Sequence, residues 1–174
     1  MSPPPKGFAM PAPILVAYAT HYGSTAETAQ FIASVFENQN QPALCQPARE
    51  VTNLQGVRAV VLGAPLFMFH WHKDALRFLD RFCKVLPALP AAAFALGPTT
   101  EPRSEKEWTD ARAILDKELA TRAWFAPTSV ALFGGRWDPG KIGFPFKAFA
   151  SQMPASDLRD WDAVRAWAQA LFLD

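Results

Sequence analysis

The residues best suited to chemistry sit together near the start of the chain, in Thr20-His21-Tyr22-Gly23-Ser24-Thr25. Three hydroxyls and a glycine in so short a stretch can surround an anion with side-chain oxygens and backbone amides. The residues before them, Ile14 to Thr20, are mostly apolar and read as a buried strand. A helix pattern follows at once, with Ser24 and Glu27 at the spacing of a capping box. A strand that turns directly into a helix N-terminus offers free amides and the positive end of a helix dipole, which suits a phosphate. No Lys or Arg lies between Gly7 and Ala48, so the loop itself holds any anion with neutral donors. A P-loop needs a Gly-Lys-Ser/Thr ending and a dinucleotide fingerprint needs three glycines, and Gly23 alone satisfies neither. The competing reading is an ordinary capped helix start with an incidental threonine.

Three later loops hold the other candidate groups. Ala64 to His70 carries Pro65, Leu66, Phe67, Met68, Phe69 and His70, then Trp71. Its flat or polarizable side chains offer surfaces for stacking an aromatic ring system, although Trp71 fits equally well as the first core residue of the next helix. His70 and His72 have no Cys, Asp or Glu at a supporting spacing before Asp74, which argues against a metal and leaves His70 as a loop donor or partner-facing group. Gly97-Pro98-Thr99-Thr100 breaks the chain after another apolar run, and its backbone and hydroxyls can edge a ligand. Gly134 to Asp157 lacks periodicity but carries Trp137, Phe144, Phe146, Phe149 and Met153 with Arg136, Lys141 and Lys147. A long connection of this kind suits an apolar or anionic partner at the rim of a site, or packing on the domain's own flank.

These loops need a scaffold. Apolar runs at Ile14 to Thr20, Val57 to Gly63, Ala91 to Gly97 and Thr128 to Phe133 are continuous rather than alternating, the pattern of strands covered on both faces, and Ala43 to Gln46 supplies a fifth. Helical periodicity places helices at Ser24 to Asn38, Trp71 to Lys84, Glu105 to Arg122 and Leu158 to Phe172, with the one expected between strands 2 and 3 cut to a turn around Val51 to Leu54. The order β-α-β-β-α-β-α-β-α predicts an α/β doubly wound sheet whose ligand lies beyond the carboxyl ends of the strands.

The 174 residues fit one domain, and half of them are hydrophobic. A net charge of +1 without a basic tract argues against nucleic acid as the main partner. Cys45 and Cys83 form no metal or dithiol motif and read as free thiols of a reducing cytoplasm. The proline-rich stretch from Met1 to Pro13 reads as a disordered leader, with the domain at 14–174. No run approaches the roughly 20 apolar residues of a membrane span.

The strand, the Thr20-x-x-Gly23-x-Thr25 loop and the five-strand pattern together resemble flavodoxins over nearly all of the chain after Pro13. Leu76-Arg-Phe-Leu-Asp-Arg81, Phe133-Gly-Gly-Arg-Trp-Asp138 and Asp157-Leu-Arg-Asp-Trp-Asp162 are similar to the subgroup of short, quinone-linked protoporphyrinogen oxidases. The resemblance implies a five-stranded parallel sheet of order 2-1-3-4-5 and FMN as cofactor. It puts residues 20–25 on the FMN phosphate, and Ala64 to His70 and Gly97 to Thr100 around the isoalloxazine. The redox partner, a protein or a quinone, is left open, and the aromatic, mildly basic segment 134–157 allows peripheral membrane contact. Two departures stand out. Electron-shuttling flavodoxins are strongly acidic, whereas this chain is nearly neutral. Relatives often carry Gly where Phe69 stands, and a Phe resists the positive φ that lets the peptide there meet reduced flavin. Three functions follow: an FMN redox protein, a flavin-dependent oxidase, or a flavin-free interaction module of the same fold.

Overall fold

A computed structural model describes residues 10–173, so residues 1–9 of the leader expected at 1–13 lie outside the described residues. Five parallel strands form the sheet: β1 (Ile14–Tyr18), β2 (Ala43–Pro47), β3 (Ala59–Phe67), β5 (Ala91–Leu96) and β6 (Ser129–Phe133). Their order is β2-β1-β3-β5-β6, the expected 2-1-3-4-5 counted over parallel strands alone. The remaining strand of the main sheet, β4 (His70–Trp71), pairs antiparallel with the end of β3.

Alternating side chains send β1, β3, β5 and β6 to two cores, whereas β2 faces only one. Leu15, Ala17, Val60, Leu62 and Ala93 meet α2 (Lys73–Arg81) and α3 (Glu105–Ala120) on one face. Ile14, Val16, Val61, Ala92 and Phe94 meet α1 (Ser24–Asn38) and α5 (Trp161–Gln169) on the other. The run Ala91-Ala-Ala-Phe-Ala-Leu96 is wholly buried, and its small side chains let helices approach closely on both sides. Phe94 takes the space opened by Gly63 on the neighbouring strand, where an added Cβ would lie 1.9 Å from its ring.

Several local expectations change. The loop assigned to 64–70 is mostly strand, because β3 continues through Pro65-Leu66-Phe67 and folds back on β4. Trp71 therefore ends a hairpin rather than starting a helix; it is buried, and its Nε1 donates to the carbonyl of Ala64 at 3.0 Å. The helix starts at Lys73, capped by His72, whose Nδ1 accepts from the Asp74 amide at 3.1 Å. The short helical turn between β2 and β3 falls at Ala48–Glu50 instead of Val51 to Leu54, since Val51 and Leu54 are drawn into the core.

The aperiodic stretch after β6 is closed at its base by a two-rung antiparallel ladder of β7 (Arg136–Trp137) and β8 (Ser156–Asp157). Between these lie a 3₁₀ turn at Pro139–Lys141 and one helical turn, α4 (Lys147–Ala150). Ile142 and Ala150 anchor the excursion by turning inward. Among the described residues no helix is long and apolar enough to cross a membrane, and no group of three or more His, Cys, Asp or Glu side chains is placed to hold a metal ion.

Candidate functional site

The hydroxyl-rich loop leaves β1 at the switch point, where neighbouring strands β2 and β3 lie on opposite sides of β1. The Thr20 Oγ1 accepts from the Gly23 amide at 2.9 Å, which fixes the turn. Gly23, not Ser24, is the N-cap of α1, and its φ of 95° is a left-handed conformation that glycine takes without strain. The capping box is absent: the Glu27 amide bonds to the Gly23 carbonyl while the Glu27 carboxylate turns to guanidinium groups elsewhere. Charge-assisted bonds to Arg outcompete a neutral local cap. Thr25 is fully buried and its Oγ1 has no partner, an orphaned donor under the loop.

Beside this loop lies a cleft of about 220 Å³ that brings together His21, Tyr22, Ser24, Pro65, Leu66, Phe67, Gly97 and Thr99 from the three loops singled out by sequence. A second cleft of about 330 Å³ continues past Gly97 and Thr99, with Pro98, Met68 and Phe69 on its walls. Thr20, Gly23 and Thr25 line neither cleft and shape the loop from behind. His70 also lines neither: its exposed ring meets the Glu118 carboxylate on α3 at 2.9 Å.

Met68 and Phe69 form the tip of the β3–β4 hairpin with φ of 48° and 66°. Positive φ at both central residues is the geometry of a tight two-residue hairpin whose twist matches its strands. Phe69 thus adopts the conformation it was expected to resist, because ladder pairing of Leu66 with Trp71 and Phe67 with His70 forces the turn. Its ring is left largely in solvent.

His21 packs against His72 with ring centroids 4.3 Å apart and against Phe67 at 5.3 Å. Burial pushes both imidazoles below their ordinary range. Lys73 adds to this for His21, and His21 itself adds to it for His72, while Asp74 opposes. The unfolded chain takes protons near pH 6.5, but the folded pair holds out to lower pH. Stability is therefore full above about pH 6.5 and falls as pH drops through the depressed values. Thermal midpoints measured between pH 8 and 5 should decline over the acid half of that range. His72→Asn, which keeps a capping acceptor without a titrating group, should flatten the decline.

The strongest charges at the site come from residues distant in sequence. Lys141 reaches back so that its Nζ donates to the Tyr22 carbonyl at 3.3 Å, and a Cβ on Gly23 would lie 3.8 Å from it. A cation therefore stands over a loop that is neutral in its own sequence. Arg136 lines the cleft and is held by Glu27 and Asp138, each at 3.4 Å. Arg159 is nearly fully buried and joins Glu27, Asp157 and the carbonyl of Ser24. Trp137 also faces the cleft, with its buried Nε1 unpartnered. Sequence reading placed Arg136, Lys141 and Trp137 only in an undifferentiated rim, and no local pattern marks them as neighbours of residues 20–25.

A doubly wound sheet with an anion-ready helix start and an aromatic cleft at its switch point defines a flavodoxin-like protein. The chain belongs to the flavodoxin domain family, which it matches over residues 15–150. Its fold is similar to a short-chain flavodoxin associated with a PDU bacterial microcompartment (14% identity, 91% of this chain and 96% of that one, TM-score 0.61). It is also similar to a flavodoxin from Pseudomonas aeruginosa, solved as a cysteine-to-alanine mutant (15% identity, 91% and 97%, TM-score 0.56). Flavodoxin 2 from Bacillus cereus aligns at 21% identity over 70% of this chain and 84% of that one, with a TM-score of 0.52. No curated protein sequence matches the chain. The cofactor of the family is FMN, which makes this a flavodoxin-like FMN redox protein. The residues present fit that group: an orphaned buried hydroxyl at Thr25, a cation at Lys141 and an aromatic cleft next to both.

Proposed function

We propose that this protein carries electrons through FMN held at the β1–β3–β5 end of the sheet. In this reading the loop 20–25 grips the phosphate with free amides at the start of α1 and the Ser24 hydroxyl, assisted by Lys141, while Thr20 holds the turn and Thr25 supports it from beneath. Pro65 to Phe69 and Gly97 to Thr99 flank the ring system, and His21 and Tyr22 close the side toward α2. FMN, when bound, supplies the redox chemistry. The chain's own residues orient it, exclude water from one face and set the charge around it, with Arg136 favouring negative charge in the cleft. The observation that carries the reading is the convergence of separate segments on one cleft that joins the Ser24 hydroxyl at the start of α1 to the apolar and aromatic side chains of Leu66, Phe67 and Trp137.

Purified protein should be yellow, with flavin absorbance near one equivalent per chain. Colourless protein that takes up no added FMN would favour the flavin-free interaction module instead. Lys141→Ala should weaken FMN binding about fivefold while leaving riboflavin affinity unchanged, because only FMN carries the phosphate. Fluorescence quenching titrations with both flavins measure this directly.

The two cysteines are unbridged, and burial pushes the Cys45 thiol up to about 11, which suits an unreactive residue in a reducing cytoplasm. The exposed phenylalanines between Gly143 and Phe149 favour a second reading, a flavin-dependent oxidase of the protoporphyrinogen oxidase type that acts on an apolar anionic substrate and delivers electrons to a quinone. Serine at Phe144, Phe146 and Phe149 should then abolish porphyrinogen oxidation while FMN stays bound. Unchanged turnover in that variant would remove the segment from the reaction.

A further inference from the structure

The excursion between β7 and β8 presents apolar surface that the domain does not cover. Phe144 is 96% exposed, Phe146 65%, Phe149 66% and Met153 38%, while Ile142 and Ala150 are the residues that hold the segment to the domain. A fold that merely needed to close this loop would not leave Phe144, Phe146 and Phe149 all outward. The charge around them is one-sided. From Pro139 to Ser156 the chain carries Lys141 and Lys147 and no carboxylate. Lys141 is turned toward the Tyr22 carbonyl, and protruding phenylalanines around Lys147 are the chemistry of a surface that enters the headgroup region of an anionic bilayer, rings below and the Lys147 ammonium at the phosphates.

We propose that residues 141–153 dock this protein on anionic lipid membranes as a peripheral, reversible contact. The occupant is a lipid surface rather than a second copy, because a self-complementary contact through this patch would bring together lysines of both copies with no carboxylate between Pro139 and Ser156 to pair them. A bilayer also accepts side chains projecting from an irregular loop without matching their shape. The segment is rooted at Arg136 and Trp137, which line the cleft, so docking here holds the mouth of the cleft near the membrane. The inference goes beyond the assignment of FMN and does not depend on it.

The test is co-sedimentation of the full chain with vesicles of phosphatidylcholine alone and of an equal mixture with phosphatidylglycerol. The protein should pellet with the mixed vesicles, far less with phosphatidylcholine, and the bound fraction should fall as salt is raised. Phe144→Ser and Phe149→Ser should each lower the partition coefficient about tenfold, with far-UV circular dichroism unchanged because both side chains are already in water. Lys147→Glu should remove the preference for phosphatidylglycerol. Absence of pelleting at low salt, or equal pelleting of the serine variants, overturns the proposal. So does light scattering that shows a dimer dissociated by the same substitutions, since a second copy would then be the occupant. Colourless protein that pellets in this way would support the docking surface while removing the flavin reading, so the two ideas fail separately.

Discussion

Arg159→Leu should lower the unfolding free energy by about 3 kcal/mol, the low end for breaking a buried ion pair. For a chain of this size that is a fall of roughly 6–12 °C in thermal midpoint. The guanidinium side chain is only 3% exposed, yet each of its nitrogens finds an acceptor. Nε and Nη2 meet the two oxygens of Asp157 at 2.8 and 2.6 Å, and Nη1 meets Glu27 at 2.8 Å and the Ser24 carbonyl at 3.3 Å. Its carbon lies 4.7 Å from the centre of the Trp161 ring. One side chain thus fastens β8 and the start of α5 to the first turn of α1. Leucine fills part of the volume but takes the charged donor from both carboxylates, leaving Glu27 with Arg136 at 3.4 Å and Asp157 with the residue-159 amide at 3.1 Å. Those carboxylates are nearly half exposed, which is why the low end of the range applies. Arg159→Lys should recover little, because an ammonium cannot reproduce the fork.

The same variant carries a pH signature. The side-chain bond from Arg159 holds the Asp157 carboxyl below its ordinary value. Asp157 therefore contributes stability that is complete above about pH 4 and is lost as pH falls through the depressed value. Arg159→Leu should erase that part of the acid limb and leave the decline set by His21 and His72 in place. Urea midpoints at pH 7, 4 and 3 for wild type and variant separate the two. An unchanged difference between variant and wild type across that range would show that Asp157 is not held by Arg159.

What the sequence revealed and what it hid divide along the range of the interactions. The five parallel strands and helices α1 and α3 were legible because their signal is local: continuous apolarity at Ala91 to Leu96 and helical periodicity from Ser24 to Asn38. The hairpin at Pro65 to Trp71 was not, since Met68 and Phe69 lack the Asn or Gly that normally announces such a turn. Ser24 and Glu27 read as a cap only while Arg159, more than a hundred positions away, was out of view. The neutral loop 20–25 likewise gains its cation from Lys141, which no spacing rule connects to Gly23. The candidate cleft was therefore half visible. Its loops could be named, but the charges that tune it arrive by tertiary folding.

Gly134→Ala should be as damaging as loss of Arg159, for a steric reason. A Cβ there would lie 2.1 Å from the Leu158 carbonyl oxygen and 2.6 Å from its carbon, and backbone cannot swing aside as a side-chain tip does. The chain passes through a narrow gap at this point. The Gly135 amide donates to the Pro98 carbonyl at 2.8 Å, the Gly135 carbonyl accepts from the Leu158 amide at 2.9 Å, and a Cβ on Gly135 would meet the Gly97 oxygen at 2.8 Å. Either the strand end moves and takes Arg136 and Trp137 from the cleft, or residues 157–159 move and take Arg159 from its partners. Overpacking of this kind costs about 3 kcal/mol. FMN affinity should fall with it, because both escapes deform the site. Gly143→Ala is the matched control: nothing lies within 4 Å of its Cβ position, so its effect should stay within about 0.5 kcal/mol. Urea denaturation paired with FMN titration reads both quantities. Equal behaviour of the two alanine variants would mean that the passage between Gly97 and Leu158 is looser than its geometry implies.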